Sequence, residues 1–214
     1  MQKETIYQLP DEWKWESLSK VSFIEDHLRK PVNSIERQRR VADKQDHELY
    51  PYYGATGQVG YIDSYLTDGN YILIGEDGAP FLDPFKAKAY EIKGKTWVNN
   101  HAHILRASNF FSPKFLLYYL NQFDYKDFVS GTTRLKLTKS SLLNIPVPVP
   151  PLGEQNRIVE RIEELFSEFD NGVAKLKEIQ KQLDIYQQTL LKHSFQKKGK
   201  EANFYSLKDI CTII

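Results

Sequence analysis

Apolar residues along the chain follow two different rhythms. From Leu9 to Leu143 they come in short runs broken by glycine and proline, the spacing of strands and turns. Within this part Trp15, Leu18, Val21 and Phe23 read as core-facing, and Asp11 as the cap of a short turn. Arg29–Pro31 and Glu36–Arg40 read as basic loops. The stretch Tyr50–Asp63 has Gly54, Gly57 and Gly60 among its tyrosines and reads as strand material. Tyr71–Gly75, Ala87–Ile92 and Trp97–Leu105 are expected to be further strands, the first ending in a Glu76-Asp77-Gly78 turn. Ser112-Pro113 predicts a helix start, with Phe115, Leu116, Tyr119 and Leu120 as its apolar face. Gly131–Thr138 alternates like an exposed strand, and Lys139–Leu143 reads as one helical turn.

The second rhythm begins after a proline-rich junction. Pro146, Pro148, Pro150 and Pro151 forbid helix and require an extended chain. From Gln155 to Gln196 there is no proline, and Ile162, Phe169, Leu176, Leu183 and Leu190 recur every seven residues. Leu165, Ile179 and Tyr186 fill a second seam position, which Gly172 and His193 interrupt. Such a seam predicts a coiled-coil helix roughly 60 Å long. Its stripe needs a partner helix. Glu154–Asp170 holds 6 acidic and 2 basic residues, and Asn171–Lys200 holds 2 acidic and 7 basic. Both ends suit the helix dipole. Two copies packed antiparallel would set acidic half against basic half, so an antiparallel homodimer is expected.

Charge and composition narrow the function. The net charge of +1 hides a stretch Val41–Asp83 with 8 acidic and 1 basic residue, and a stretch Pro84–Lys139 with 10 basic and 3 acidic. Either these blocks neutralise each other in the fold or the second offers a face to a polyanion. Cys211 is the single cysteine, so neither an intramolecular disulfide nor a Cys-based zinc site is expected. With no apolar signal core and no run of 18 apolar residues, we expect a cytoplasmic protein that does not cross a membrane. There is no phosphate-binding G-x-x-x-x-G-K-[ST] loop, no G-x-G-x-x-G and no Asn-Pro-Pro-Tyr. His101 and His103 read as ordinary strand residues. Asp83 with Glu91-Ile92-Lys93 fits the pattern by which many nucleases hold Mg²⁺, but Glu91, Lys93 and Lys95 also alternate like the solvent face of a strand. A coiled-coil adaptor without DNA binding is the remaining alternative.

Several segments together resemble one family. They are Leu9-Pro10-x-x-Trp13, Tyr53–Gly57, Gly75-Glu76-Asp77-Gly78, Asn99–His103, Gly131-Thr-Thr-Arg134 and Leu143–Gln155, followed by Arg157-Ile-Val and the heptads. They are similar to the specificity subunit of Type I restriction–modification enzymes. The resemblance implies an α+β fold: a recognition domain (1–150) with a twisted, mostly antiparallel sheet and short helices, then one long coiled-coil helix (151–197) for spacing, dimerisation and methyltransferase docking. A full subunit has two of each, so this chain resembles half of one. The stub 198–214 resembles the start of a second repeat, since Ser206–Ile213 echoes Ser17–Ile24. The resemblance further implies double-stranded DNA, adenine methyltransferase subunits and a motor (restriction) subunit as partners. S-adenosylmethionine, ATP and Mg²⁺ are then expected on those partners and no cofactor or catalytic residue in this chain, which would direct adenine N6 methylation, and cleavage by the holoenzyme, to a bipartite site.

For DNA contacts the residue types point first to Thr132, Thr133, Arg134 and Lys136, then to Lys86, Lys88, Lys93 and Lys95, then to Arg37, Arg39 and Arg40. If Arg134 pairs a base, Arg134→Ala weakens binding to the cognate duplex by about 1–3 kcal/mol, measured by titration at fixed salt; unchanged affinity removes it from this set.

Overall fold

The computed structural model describes residues 9–196. In chain order it has β1 (Lys14–Ser17), α1 (Leu18–Val21), β2 (Ser22–Ile24), α2 (Ser34–Val41), β3 (Tyr50–Gly54), β4 (Gly57–Ile62), β5 (Thr67–Gly75) and β6 (Ala89–Val98). There follow β7 (Ala102–Ala107), α3 (Pro113–Gln122), β8 (Val129–Ser130), β9 (Lys136–Leu137), α4 (Lys139–Leu143), β10 (Pro146–Val149) and α5 (Leu152–Gln196). The stub 198–214, with its Ser206–Ile213 echo and Cys211, lies outside the described residues. The chain divides into two compact units, 1–160 and 161–214.

In the first unit six strands form one sheet in the order β2-β7-β5-β6-β3-β4. All its pairs are antiparallel except β3 with β6. This is the α+β fold with a mostly antiparallel sheet that the resemblance implies. Alternation along β5 splits the core between the two faces. Ile72 and Ile74 pack with α1, α3, α4 and β10 in the main cluster, whereas Leu73 joins Ile92, Val98 and Ile104 on the other side.

Three local expectations give way. Glu36–Arg40 is helical, because Asn33 caps α2 by accepting from the Glu36 amide (2.8 Å). Trp97 belongs to the end of β6, which closes at Val98, instead of opening the next strand, and the chain turns at Asn99, whose side chain accepts from the His101 amide. Phe23 is 53% exposed; its ring lies under the Arg106 guanidinium and not in the core.

The proline junction is a strand built into the body. Among the described residues β10 pairs only with β1, setting Pro146 against Ser17 and Pro148 against Trp15. Ile145 accepts from the Leu18 amide, whereas the Pro146 carbonyl takes the Tyr119 hydroxyl (2.5 Å). Within β10 odd positions therefore face β1 and even positions face away, so Pro146 and Pro148 remove donors only from the outer edge.

α5 starts at Leu152, three residues before the expected Gln155, since the Pro151 carbonyl accepts from the amides of both Glu154 and Gln155. Its first turns belong to the first unit, which ends ten residues past the 150/151 division drawn from the prolines. Trp13 Nε1 donates to Glu154 (2.9 Å). Gln155 is wholly buried: it accepts from the Ser112 amide (2.7 Å) and donates to the Pro150 carbonyl (2.9 Å). Val159 completes the main core. In the second unit Leu165, Phe169, Leu176, Ile179, Leu183, Tyr186 and Leu190 are all exposed, and Ile162 is half-buried.

Gln155→Ala strands a buried donor and a buried acceptor at about 1–3 kcal/mol each. We expect a loss of about 2–4 kcal/mol in urea denaturation; a loss under about 0.5 kcal/mol would show that the amide does not hold the joint.

Candidate nucleic-acid interface

The hairpin β8–β9 carries the first-ranked residues at its tip. Gly131–Thr138 is not a continuous strand, because only Lys136–Leu137 pairs with Val129–Ser130. Gly131 has φ +105°, a left-handed conformation that suits glycine and lets the tip fold back. Thr132, Thr133, Arg134 and Lys136 are all exposed there.

This tip is fastened to the turn after β5. The Leu137 amide donates to the Glu76 carbonyl (2.7 Å), and the Gly78 amide to the Leu135 carbonyl (3.0 Å). Arg134 Nη2 meets Asp77 Oδ1 at 2.8 Å, and Lys136 Nζ meets Glu76 Oε1 at 3.1 Å. His101 Nδ1 is 2.8 Å from the same Asp77 oxygen. Three segments carrying the resemblance, Gly75–Gly78, Asn99–His103 and Gly131–Arg134, thus meet in space.

A largely shielded network lies beneath. Arg29 reaches Glu76 (2.5 Å), Asp26 (3.2 Å) and the Ala102 carbonyl (2.9 Å). His103 is 1% exposed, with Nδ1 on Asp26 Oδ2 (2.7 Å) and Nε2 on the Leu137 carbonyl (3.0 Å). The two ring nitrogens thus tie the Asp26 carboxylate to the carbonyl of the hairpin. Reading His103 as an ordinary strand residue missed this role. Asp26, its partner from near the other end of the domain, leaves no signal in the local pattern.

The other candidates scatter. Lys86 pairs with Asp83 (3.5 Å) and Lys93 with its neighbour Glu91 (3.0 Å), while Lys95 lies over the Tyr65 ring. Lys88 is a correction: it is 3% exposed, and its Nζ donates to the Asn121 carbonyl (3.3 Å), so it is not on a DNA-facing surface. Arg37 stacks on Tyr52 and donates to the Val59 carbonyl (2.9 Å); Arg40 pairs with Asp63 (2.5 Å) and covers Trp97. These two arginines brace the β3–β4 hairpin, and only Arg39 of the three is exposed. Asp83 and Glu91 each pair with a nearby lysine. Among the described residues no group of three or more His, Cys, Asp or Glu could hold a metal ion. No described helix is long and apolar enough to cross a membrane.

Burial works against the carboxylates of Asp26 and Glu76. For Asp26 it is outweighed by the hydrogen bond and charge of His103, by the Ile104 amide and by Arg29, and its carboxyl is held below 3.8. Hydrogen bonds from Arg29 and Lys136 hold Glu76 below 4.5 in the same way. A lowered folded value adds stability above the unfolded one and loses it as pH falls through the folded one. Melting temperature should therefore fall on acidification below about pH 4.5, and less steeply in Asp26→Asn. Identical acid profiles for the two proteins would separate the network from acid stability.

Residues 28–181 match the family model described as the Type I restriction modification DNA specificity domain. A chain named as a type I restriction enzyme specificity subunit of Haemophilus influenzae is 36% identical over 154 residues, covering 72% of this chain and 37% of that one. A chain from a structure of complex assembly in the type I restriction–modification system has a similar fold (TM-score 0.60, 21% identity), covering 87% of this chain and 45% of its own. The HsdS subunit of Thermoanaerobacter tengcongensis also has it (TM-score 0.53, 19% identity), covering 78% and 40%. The chain spans less than half the length of each of these relatives. It belongs to the Type I restriction modification DNA specificity domain family.

Proposed function

We propose that this chain is the DNA-recognition element of a type I restriction–modification system, with one recognition domain and one spacer helix. The observation that carries this is the matched domain presenting an exposed hydroxyl-and-cation hairpin tip, fastened to a second motif of the same resemblance. Thr132, Thr133, Arg134 and Lys136 grip DNA; Lys86, Lys93, Lys95 and Arg39 make peripheral phosphate contacts. Major-groove base edges supply the sequence information. The chain has no catalytic centre of its own. Cytoplasmic methyltransferase partners carry S-adenosylmethionine and methylate adenine at N6, and a motor subunit supplies ATP- and Mg²⁺-dependent cleavage. The nuclease and adaptor alternatives find no support in the family match.

The exposed seam of α5 supports a second copy as its partner. Antiparallel pairing sets the acidic stretch Glu154–Asp170 against the basic stretch that follows it. Twofold symmetry then implies a palindromic bipartite site.

Two measurements test the reading. Deleting the gene should abolish adenine methylation at one bipartite motif across the source genome; an unchanged methylation map refutes the recognition role. In the purified chain Leu176→Glu should weaken self-association about a hundredfold, because pairing buries an unmatched carboxylate. Scattering that places both recognition domains at one end of the pair would exclude the antiparallel arrangement.

A further inference from the structure

Asp77 is an odd residue to find on a surface meant for a polyanion. A carboxylate beside phosphates repels them, and its neighbour Glu76 adds a second. Yet Asp77 is only 24% exposed, against 59% for Arg134, and its Oδ1 holds both the Arg134 guanidinium and His101 at 2.8 Å. The guanidinium also lies across Gly78, which has φ +70° and no side chain; a Cβ there would come within 3.0 Å of Arg134 Nε. The tip beneath cannot drift, because Asp77 and Lys136 bridge the two segments and Leu137 and Gly78 donate across them. The carboxylate thus holds a long cation in one pose on a fixed platform.

We infer that Asp77 is a positioning residue for DNA binding: it orients Arg134 so that the outer donors of the guanidinium meet a backbone phosphate. This rests on the recognition reading above. Arg134 has five N–H donors, and its hydrogen bond to Asp77 uses Nη2. The remainder, with the exposed Thr132 and Thr133 hydroxyls beside them, form the fork-shaped donor set that suits phosphate oxygens. Ordering that side chain in the free protein removes a cost that binding would otherwise meet.

The test is a sign. In the complex with its methyltransferase subunits, on a duplex containing the methylated motif, Asp77→Ala should weaken binding about tenfold although it removes a negative charge. Arg134→Ala should weaken binding similarly and lower the salt slope by about one. The double variant should be no weaker than Arg134→Ala alone, and Asp77→Asn, whose amide oxygen still accepts, should recover most of the affinity. Arg134→Lys, an exposed change with no folding burden, should lose about fivefold with the salt slope kept, since the charge remains but the fork does not. Tighter or unchanged binding by Asp77→Ala, additive losses in the double variant, or full affinity in Arg134→Lys would overturn the inference. Arg134→Ala with unaltered affinity and slope would also overturn it while leaving the recognition role intact; a wild-type complex that ignores its own duplex would overturn both.

Discussion

One doubly bonded imidazole organises the recognition end of this domain. His103 is the second residue of β7, with a carboxylate on one nitrogen and a backbone carbonyl on the other. The carboxylate, Asp26, follows the edge strand β2; the carbonyl, of Leu137, belongs to the β8–β9 hairpin. A single ring therefore ties an early loop, a central strand and a late hairpin. Arg29 and Glu76 close the circuit on the turn after β5. Asp26, Arg29 and Glu76 are each less than a fifth exposed, and charges so shielded from water are tolerable only when paired and hydrogen-bonded. Removing one member leaves the others uncompensated, so the cluster holds a single arrangement. That arrangement brings the hairpin tip against Asp77.

The proline junction shows the same economy at the other end of the core. Four prolines in six residues read as a linker, and the extended conformation is real. What the composition hides is where the lost donors would have pointed. Because β10 is an edge strand, proline at alternate positions costs it nothing on the side facing β1, and it also blocks a further strand from adding there. The Glu154-Gln155 pair then works as a fastener. Glu154 takes the indole N–H of Trp13, and Gln155 satisfies a donor and an acceptor that the start of α3 and the end of β10 would otherwise bury unmet. The first turns of the long helix are thereby part of the globular core.

What could be read in advance follows from range. Heptads, Ser112-Pro113 and the strand around Tyr71 are local patterns, and each appears as an element where the sequence predicts one. The resemblance picked out Trp13, Gly75–Gly78, Asn99–His103 and Glu154-Gln155 without saying which touch. Contacts such as Trp13 with Glu154, or His103 with Asp26, join residues 141 and 77 positions apart, and no periodicity encodes them. Lys88 misled because a lysine in a basic block looks solvated, whereas just before β6 it is buried against Asn121 of α3. Arg37 and Arg40 have a packing role that charge counting cannot see: their stems and guanidinium planes cover Tyr52 and Trp97.

The two opposed charge blocks now have a physical reading between the alternatives they first posed. They do meet in the fold, for Glu76 and Asp77 of the acidic block hold Lys136 and Arg134 of the basic one. Such exposed pairs contribute little stability, about 0–1 kcal/mol each. Neutralisation for its own sake is therefore a poor account of them. Their geometry does more than their energy: each acid is the less exposed partner, rooted on a tight turn, and each base stands outward on a hairpin tip. A cation held from behind keeps its outward donors while losing its freedom. For a surface that must meet a regular array of phosphates, fixed cations in fewer number serve better than many loose ones, because ordering is complete before the partner arrives.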